Sequence, residues 1–126
     1  MGVAADTVNT FIAAIERRDL VAALALAASD IVYDNVPLAS VQGADAVRAT
    51  LGPFLSGATS VEFRLLRQAE QGNLVLNERL DRFELGGRWI EIAVAGVFEI
   101  NPDGKIGLWR DYFDRGQFEA AMAPPA

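Results

Sequence analysis

The second half of the chain contains four long strand-like segments separated by short turn sequences, and this arrangement restricts the fold more than any other feature. Branched and aromatic residues, which favour pleated sheets, are frequent in all four segments. The connections contain Gly, Asn and Asp, as the turns of β-hairpins do. The pattern therefore predicts a mainly antiparallel sheet of consecutive strands. The predicted strands are Val61–Gln71, Leu74–Leu85, Arg88–Ile100 and Ile106–Asp114.

The first half of the chain has the spacing of helices instead. Asp6 is the predicted N-cap of a first helix that continues to about Arg18, because a short acidic side chain accepts hydrogen bonds from the first turn. Apolar residues recur at i, i+3, i+4 and i+7, which predicts one buried stripe along this helix. The stripe consists of Val8, Phe11, Ile12 and Ile15.

Further elements are predicted between this helix and the sheet. Asp19 is the expected N-cap of a second helix over Leu20–Ala28. A short strand is predicted at Ile31–Asn35, and a third helix at about Ala44–Leu55. Gly52-Pro53 should end or kink the third helix, because proline removes a backbone donor and clashes with the preceding turn.

Helices followed by strands, with a last helical turn over Gln117–Met122, are typical of an α+β domain. We expect a single domain over residues 1–126, since 126 residues suffice for one core and not for two. The expected architecture is a curved, mainly antiparallel sheet packed against three N-terminal helices. This arrangement forms a cone with an internal pocket, and apolar pockets of this kind commonly bind small ligands.

The sequence lacks the residues on which many catalytic centres depend. It contains no His and no Cys, which excludes Ser-His-Asp triads, Cys nucleophiles and thiolate or imidazole metal sites. The only Lys, Lys105, lies in a predicted turn, where its amine would stay solvated. Any catalysis must therefore come from carboxylates, Arg, Tyr, Asn or water. Metal sites made of carboxylates alone remain open, but no cluster of the Asp-x-Asp-x-Asp kind favours one, so we expect no metal.

The charge and hydropathy of the chain also limit its partners. A net charge of −6 argues against binding to nucleic acid or to anionic membranes, since both require a basic surface. No uninterrupted apolar stretch is long enough to span a membrane. The N-terminal Met1–Asp6 segment has neither the basic region nor the apolar run of a signal peptide. These features predict a cytoplasmic protein.

A carboxylate lies within the apolar register of the last strand. Because side chains alternate along a strand, Trp109, Asp111 and Phe113 share one face. A charge among aromatic rings is costly unless it is paired. Arg79 and Asp81 share a face of an earlier strand, and two carboxylates with one guanidinium in an apolar cavity could act as acid and base. On the residues alone, a structural ion-pair network between the strands is the favoured interpretation, and the acid and base pair is the alternative.

The periodicity of that earlier strand does not favour a buried site. Leu74, Leu76 and Leu80 form its more apolar face, whereas Arg79 and Asp81 lie on the other face. Hydrophobic alternation alone therefore directs Arg79 and Asp81 toward solvent.

Two other strands carry expectations about the sheet. Arg110 and Asp114 lie on the face of the last strand opposite Asp111, and we interpret them as a surface or interface pair. In the Arg88–Ile100 strand, Gly96 interrupts a nearly continuous apolar face, which suggests a bulge or a bend. That face otherwise contains Ile90, Ile92, Val94, Phe98 and Ile100.

Three segments resemble the signature segments of limonene-1,2-epoxide hydrolases. Those enzymes carry Tyr-x-Asn, then Glu-Arg-x-Asp, then Trp-Arg-Asp-Tyr-Phe-Asp, in this order and at closely similar spacing. The resemblance covers nearly the whole chain, with Asn77 where the family has Thr and Leu80 where it has Val. The corresponding segments here are Tyr33-Asp34-Asn35, Glu78-Arg79-Leu80-Asp81 and Trp109-Arg110-Asp111-Tyr112-Phe113-Asp114.

The resemblance implies cofactor-independent hydrolysis of a small hydrophobic epoxide to a vicinal diol. By analogy, Asp111 would be the general base for a water that Tyr33 and Asn35 also hold. Asp81 would be the general acid that protonates the epoxide oxygen. Arg79 would bridge the two carboxylates and keep each in its protonation state. Two carboxyls near one guanidinium can share a single proton, which agrees with this division of roles.

Other functions stay open at this point. The resemblance implies a cone-shaped fold that ketosteroid isomerases and polyketide cyclases related to nuclear transport factor 2 also have. Such an isomerase would use a lone Asp base with a Tyr donor and would not need Arg79. A non-catalytic small-ligand-binding protein is a third possibility, although it would have no reason to keep the whole set of polar residues. The expected partners are the epoxide, water and a second copy of the chain in a homodimer, formed through the uncovered outer face of the sheet.

Overall fold

The computed structural model describes residues 2–124, in which helices come first and long strands follow, as the sequence predicts. The short strand and the final helix are also present, and one two-residue strand was not predicted. The helices are α1 (Val3–Glu16), α2 (Leu20–Leu24), α3 (Ala44–Gly57) and α4 (Arg115–Met122). The strands are β1 (Ala27–Val36), β2 (Val41–Gln42), β3 (Ser60–Gln71), β4 (Leu74–Leu85), β5 (Arg88–Ile100) and β6 (Ile106–Phe113).

The strands form one mixed sheet in the order β2-β1-β6-β5-β4-β3. The strands from β3 to β6 form the predicted antiparallel meander, and β1 pairs with β6 in parallel. Gly86 and Gly87, between β4 and β5, have φ values of 57° and 77°, as a two-residue hairpin turn of this kind requires. Register shifts in the β1–β6, β3–β4 and β5–β6 pairings help to curve the sheet. The α+β class, the curved sheet and the three N-terminal helices are confirmed.

The helices cover the concave face of the sheet and close the core. The predicted stripe of α1 is buried, and Phe11 packs edge-on against Trp109 with ring centroids 5.0 Å apart. On α3, Phe54 packs edge-on against Phe83 of β4. The longest described helices have 14 residues, and no helix within residues 2–124 is long and apolar enough to cross a bilayer.

The start of α1 differs from the prediction. The helix begins at Val3, so Asp6 lies inside the first turn and is not its N-cap. The capping group is Glu70 of β3, whose carboxylate accepts from the backbone N–H of Gly2 at 3.0 Å and of Ala5 at 2.6 Å. Glu70 is 65 residues from Ala5 in the chain. Local spacing cannot detect a cap supplied from that distance.

The second helix is shorter than predicted, although its cap is confirmed. Asp19 accepts from the N–H of Ala22 at 3.0 Å, but α2 ends at Leu24. The Ala-rich segment that should have continued it enters β1, where Ala27 pairs with Ile106. Pairing with the parallel strand therefore overrides a local helical preference.

The third helix passes through its proline. Pro53 lies inside α3, which continues to Gly57, so of the two predicted effects of Gly52-Pro53 the helix end does not occur. The kink stays a prediction. Proline removes one backbone hydrogen bond, and the burial of Leu55 and the contact of Phe54 with the sheet offset that loss.

The face of β4 that periodicity directs to solvent is in fact the buried one. Arg79 and Asp81 are 1% and 7% exposed, whereas Leu76 is 45% exposed. The prediction from alternation is wrong because the charged groups neutralise one another inside the cone. The apolar face of β5 is buried as predicted. Gly96 forms no bulge there, since its pairings with Asn77 and Asp111 lie in continuous register.

Candidate active site

The five polar residues that the sequence singled out come together at a cavity of about 290 Å³ inside the cone. Tyr33, Asn35, Asp81 and Asp111 line this cavity directly, and Arg79 lies behind the two carboxylates. The remaining wall is almost entirely apolar and aromatic. It includes Leu51, Phe54, Phe63, Phe83, Ile92, Val94, Phe113, Phe118 and Met122.

Parallel pairing of β1 with β6 places the first two polar residues beside Asp111. Tyr33 is the register partner of Trp109, and Asn35 is the register partner of Asp111. Side chains at alternate positions of a strand share a face, so Tyr33 and Asn35 both point into the cone. The Tyr33 ring stacks on Trp109 with centroids 4.1 Å apart, which fixes the position of its hydroxyl.

The Arg79 guanidinium is completely buried and bonds to both carboxylates. Its Nε and Nη2 donate to the two oxygens of Asp81, each at 3.0 Å. Nη2 also donates to Oδ2 of Asp111 at 2.9 Å, and Nη1 donates to Oδ1 of Asn77 at 2.8 Å. The planar fork of arginine is what allows one side chain to hold several acceptors at fixed angles.

Burial changes the protonation of both carboxyls in the same direction. It raises the pKa of Asp111 to about 6, an effect that the Arg79 charge opposes and the Asp81 charge reinforces. Burial also raises the pKa of Asp81, again against the effect of Arg79. One guanidinium between two such groups leaves room for a proton to be held within the set near neutral pH.

The polar groups beside Asp111 are suited to hold a water molecule. Burial, reinforced by the Asp111 charge, raises the pKa of Tyr33 far above its usual range, so its hydroxyl stays protonated and can donate. Within residues 2–124, Oδ1 of Asp111 is buried and makes no hydrogen bond of good geometry, although the Trp109 indole also acts on this carboxyl. Tyr33 and Asn35 line the cavity beside Asp111, so a water held by their side chains would lie next to this carboxyl.

The donor set does not suggest a metal centre. Among the described residues, no group of three or more carboxylates is placed so that it could hold a metal ion. The two carboxylates at the cavity are instead occupied by the guanidinium.

Arg110 and Asp114 do not form the predicted pair. Nε of Arg110 donates to Oδ2 of Asp34 on the neighbouring strand at 2.8 Å. Asp114 is the N-cap of α4 and accepts from the N–H of Gln117 at 2.8 Å. Arg110 and Asp34 are register partners, so this ion pair supports the strand pairing that places Asn35 beside Asp111.

Sequence reasoning missed two contributions to the site. Asn77 is 6% exposed and binds Arg79 directly, but it was noted only as a departure from the family pattern. Its position two residues before Arg79, on the same strand face, was the available signal. The final helix also contributes to the cavity wall through Phe118 and Met122. The prediction gave this helix no role, because its short sequence carries no clear apolar stripe.

Comparisons with known proteins agree with this geometry. A family model described as the limonene-1,2-epoxide hydrolase catalytic domain matches residues 3–123. Epoxide hydrolase EphG of Mycobacterium tuberculosis is 36% identical to this chain over 107 residues, which cover 85% of this chain and 70% of that protein.

Solved structures share the fold. A structure described as an M. tuberculosis epoxide hydrolase of the same type has a TM-score of 0.83 and 33% identity, over 95% of this chain and 89% of that chain. A protein from Burkholderia pseudomallei, described as similar to nuclear transport factor 2 and of unknown function, has a TM-score of 0.86 and 20% identity. That match covers 98% of this chain and 100% of the other, and it shows the fold alone.

Proposed function

The chain belongs to the limonene-1,2-epoxide hydrolase family and is an epoxide hydrolase, and on this basis we propose that it converts a small apolar epoxide to a vicinal diol in one step without a cofactor. The observation that carries the proposal is the buried guanidinium of Arg79 bonded to both Asp81 and Asp111 at the polar end of an apolar cavity. An ion pair that served only to join strands would not need a cavity beside it.

In the proposed step, Asp111 accepts a proton from a water that Tyr33 and Asn35 also hold. The water oxygen attacks one carbon of the epoxide ring as this proton leaves. The bond between that carbon and the epoxide oxygen breaks, and Asp81 donates a proton to the oxygen. Both oxygens of the product are then hydroxyls. Before the next turnover, a proton has to leave Asp111 and another has to return to Asp81.

The two carboxyls are assigned by position. Asp111 is the base because Asn35 is its register partner and Tyr33 lies on the same strand face, so a water held by these residues lies next to Asp111. Asp81 reaches the cavity from the other side of Arg79. The two bonds that Asp81 accepts from Arg79 suit its ionised form, which is its state after proton donation. Tyr33 remains a neutral donor throughout.

The size and the lining of the cavity favour an uncharged substrate of modest size. A volume of about 290 Å³ is just below the range of about 300–1,000 Å³ typical of small-molecule sites. Beyond the catalytic groups, the wall offers mostly aromatic and aliphatic side chains, with the hydroxyl of Thr50 already bonded to the carbonyl of Ala46 at 2.9 Å. A charged group on the substrate would lose its hydration there without compensation.

An isomerase mechanism of the kind found in related folds explains less of this site. A lone Asp base with a Tyr donor would use Asp111 and Tyr33 only. It would leave unexplained why Arg79 holds a second carboxyl, Asp81, at the cavity wall.

The proposal is tested first with a panel of epoxides and the purified protein. Uncharged cyclic and aryl epoxides, such as cyclohexene oxide and styrene oxide, should give diols that chromatography detects. Epoxysuccinate, which carries two charges, serves as the matched control and should not react. Absence of diol from every uncharged epoxide would refute the proposed function.

A single turnover in water enriched in ¹⁸O then tests the one-step route. Direct attack by water places one heavy oxygen in the diol during the first turnover. Attack by a carboxylate would instead deliver an unlabelled protein oxygen first. With enzyme in excess over epoxide, mass spectrometry of the diol distinguishes these outcomes, and an unlabelled product would exclude direct attack.

A further inference from the structure

The buried face of β5 carries side chains along its length except at Gly96, and the guanidinium of Arg79 occupies the space that this glycine leaves. Gly96 is the register partner of Asn77 on one side and of Asp111 on the other. The next residues on the same face, Val94 and Phe98, are buried and carry bulky side chains.

The strand order explains why this space is needed. Arg79 lies on β4 and Asp111 on β6, with β5 between them. Neighbouring strands are about 4.8 Å apart, so the Arg79 side chain has to pass over β5 to reach Asp111. A Cβ atom at position 96 would collide with Nη1 of Arg79 and would lie 2.6 Å from Oδ1 of Asn77 and 3.0 Å from Oδ1 of Asp111.

Asn77 holds the same nitrogen from the other side. Its Oδ1 accepts from Nη1 of Arg79 at 2.8 Å, and its Nδ2 donates to Oε1 of Gln68 at 3.2 Å. Nε2 of Gln68 in turn donates to Oδ1 of Asn9 on α1 at 3.1 Å. This series of amides determines the orientation of the Asn77 amide group. Because Nδ2 of Asn77 donates to Gln68, Oδ1 of Asn77 points at the guanidinium of Arg79.

We propose that Gly96 and Asn77 are positioning residues for epoxide hydrolysis, which together form a cradle that holds the Arg79 guanidinium between Asp81 and Asp111. The cradle itself is inferred from geometry alone. Its effect on catalysis rests on the proposed function. Neither residue touches the substrate, since neither lines the cavity. Both act through Arg79.

The cradle predicts a specific electrostatic effect. A methyl group at position 96 would displace the end of a flexible side chain and leave the backbone in place, so the fold should survive. The displaced guanidinium would stabilise the ionised form of Asp111 less, and the pKa of Asp111 would rise. The charged and titratable groups that face Asp111 are Arg79 and Asp81 on β4 and Tyr33 on β1. The helices contribute Ile15 of α1, Phe118 of α4 and other uncharged side chains to the cavity.

The test compares Gly96→Ala and Asn77→Leu with Gly107→Ala as the matched control. Gly107 lies on the neighbouring strand β6, where an added Cβ would meet its nearest atom at an ordinary 3.7 Å. With styrene oxide as the probe, kcat/KM should fall about 100-fold in Gly96→Ala, as for a reacting group displaced by about 1 Å. It should fall about tenfold in Asn77→Leu, which removes one charge-assisted hydrogen bond. The control should match the wild type.

Two further readouts separate positioning from general loss of structure. The acid limb of the pH profile of kcat/KM should move to higher pH in Gly96→Ala and in Asn77→Leu. The ¹⁵N-¹H resonance of the Arg79 Nε–H group, identified by its absence in Arg79→Lys, should shift or broaden in both variants. Neither readout should change in Gly107→Ala.

A wild-type acid limb or a wild-type Arg79 resonance in Gly96→Ala would overturn the cradle. If Gly96→Ala does not fold, Asn77→Leu decides by the same two criteria. The resonance is recorded without substrate, so it is independent of the proposed function. A wild-type protein inactive on every epoxide would refute that function, while the resonance would still show whether position 96 controls the guanidinium.

Discussion

The guanidinium of Arg79 connects the polar side chains of β4 with Asp111 of β6. Arg79 donates four hydrogen bonds to three side chains while being 1% exposed. A buried charge with this many partners is stable only while the partners stay in place, because leaving one carboxylate unpaired in the interior is costly. The residue therefore has a structural role in addition to the catalytic role that we propose for it, and a test by substitution has to separate the two.

Replacing Arg79 with Lys separates the structural role of the charge from the proposed catalytic role of the guanidinium. The charge is kept, but one ammonium group cannot reach both Asp81 and Asp111 at fixed angles. We expect kcat/KM for an uncharged epoxide to fall by about 10²–10³-fold, in line with the loss of preorganised donors. Thermal unfolding followed by circular dichroism should still show one cooperative transition. Arg82→Lys, on the outer face of the same strand beside Glu62, is the control and should retain activity. Near-native turnover in Arg79→Lys would remove Arg79 from the mechanism.

The raised pKa of Asp111 predicts the pH dependence of activity. The base has to be ionised, so kcat/KM should decline as pH falls below about 6, where Asp111 takes up a proton. Asp111→Asn keeps the size of the side chain but cannot accept the proton, and it should be inactive at every pH. A flat profile between pH 5 and pH 8 in the wild type, or an active Asp111→Asn, would refute the assignment of the base.

The same pKa predicts how Asp111 affects stability. A carboxyl whose folded pKa lies above its unfolded value contributes stability below the unfolded value, and this contribution is lost as pH rises through the folded pKa. For Asp111 the loss should occur from about pH 4 to about pH 6. The free energy of unfolding of the wild type, measured relative to Asp111→Asn by urea denaturation, should therefore decrease across this interval. An increase would mean that the ionised form is the one favoured by folding.

Among the elements, the bounds of the long strands could be predicted from the sequence, but the buried face of β4 could not. The bounds of β4 and β5 match the prediction because the turn glycines between them are a local signal. Which face of β4 is buried depends on a different criterion, namely whether Arg79 and Asp81 find partners on other strands. Hydropathy assigns both to solvent, whereas the need of Asp111 for a charged partner and the motif resemblance pointed to the site.

The residues that sequence reasoning missed depend on pairing between distant segments. Gly96 matters because register places it between Asn77 and Asp111. Glu70 caps α1 because β3 passes the start of that helix. No periodicity in the chain contains these relationships, whereas the buried stripe of α1 follows directly from its own spacing.

The cap of α1 can be tested at the scale of the element. Glu70→Ala removes the acceptor for the N–H groups of Gly2 and Ala5, and we expect it to lower the free energy of unfolding by about 1 kcal/mol. Asp6→Ala, which removes a first-turn carboxylate that is not the cap, should cost less. Urea denaturation of both variants gives the comparison. A larger loss in Asp6→Ala would restore Asp6 as the main N-terminal group of the helix.

At the scale of the whole molecule, burying polar groups inside the cone leaves apolar groups outside it. Because Arg79 and Asp81 face inward on β4, Leu76 and Leu80 face outward. Leu76 of β4, Trp89 of β5 and Tyr112 of β6 are 45%, 43% and 46% exposed on the outer face. We interpret these exposed apolar side chains as part of an interface. The candidate active site and the outer surface thus follow from the same strand register.

We expect a second copy of the chain to cover this face in a two-fold symmetric dimer, since self-association is the commonest way in which such surfaces are buried. Light scattering coupled to size-exclusion chromatography should give twice the mass of the 13.6 kDa chain at micromolar concentration. Leu76→Lys introduces a charge at an exposed apolar position of the outer face and should yield a monomer. Val21→Lys, at an equally apolar but isolated position that is 78% exposed on α2, should leave the dimer intact.

Since Leu76 points away from the cavity, a monomeric Leu76→Lys should keep its active site. Its residual kcat/KM would then measure how much catalysis depends on the partner. A wild-type monomer under these conditions would contradict the prediction and leave the outer face without an assigned role.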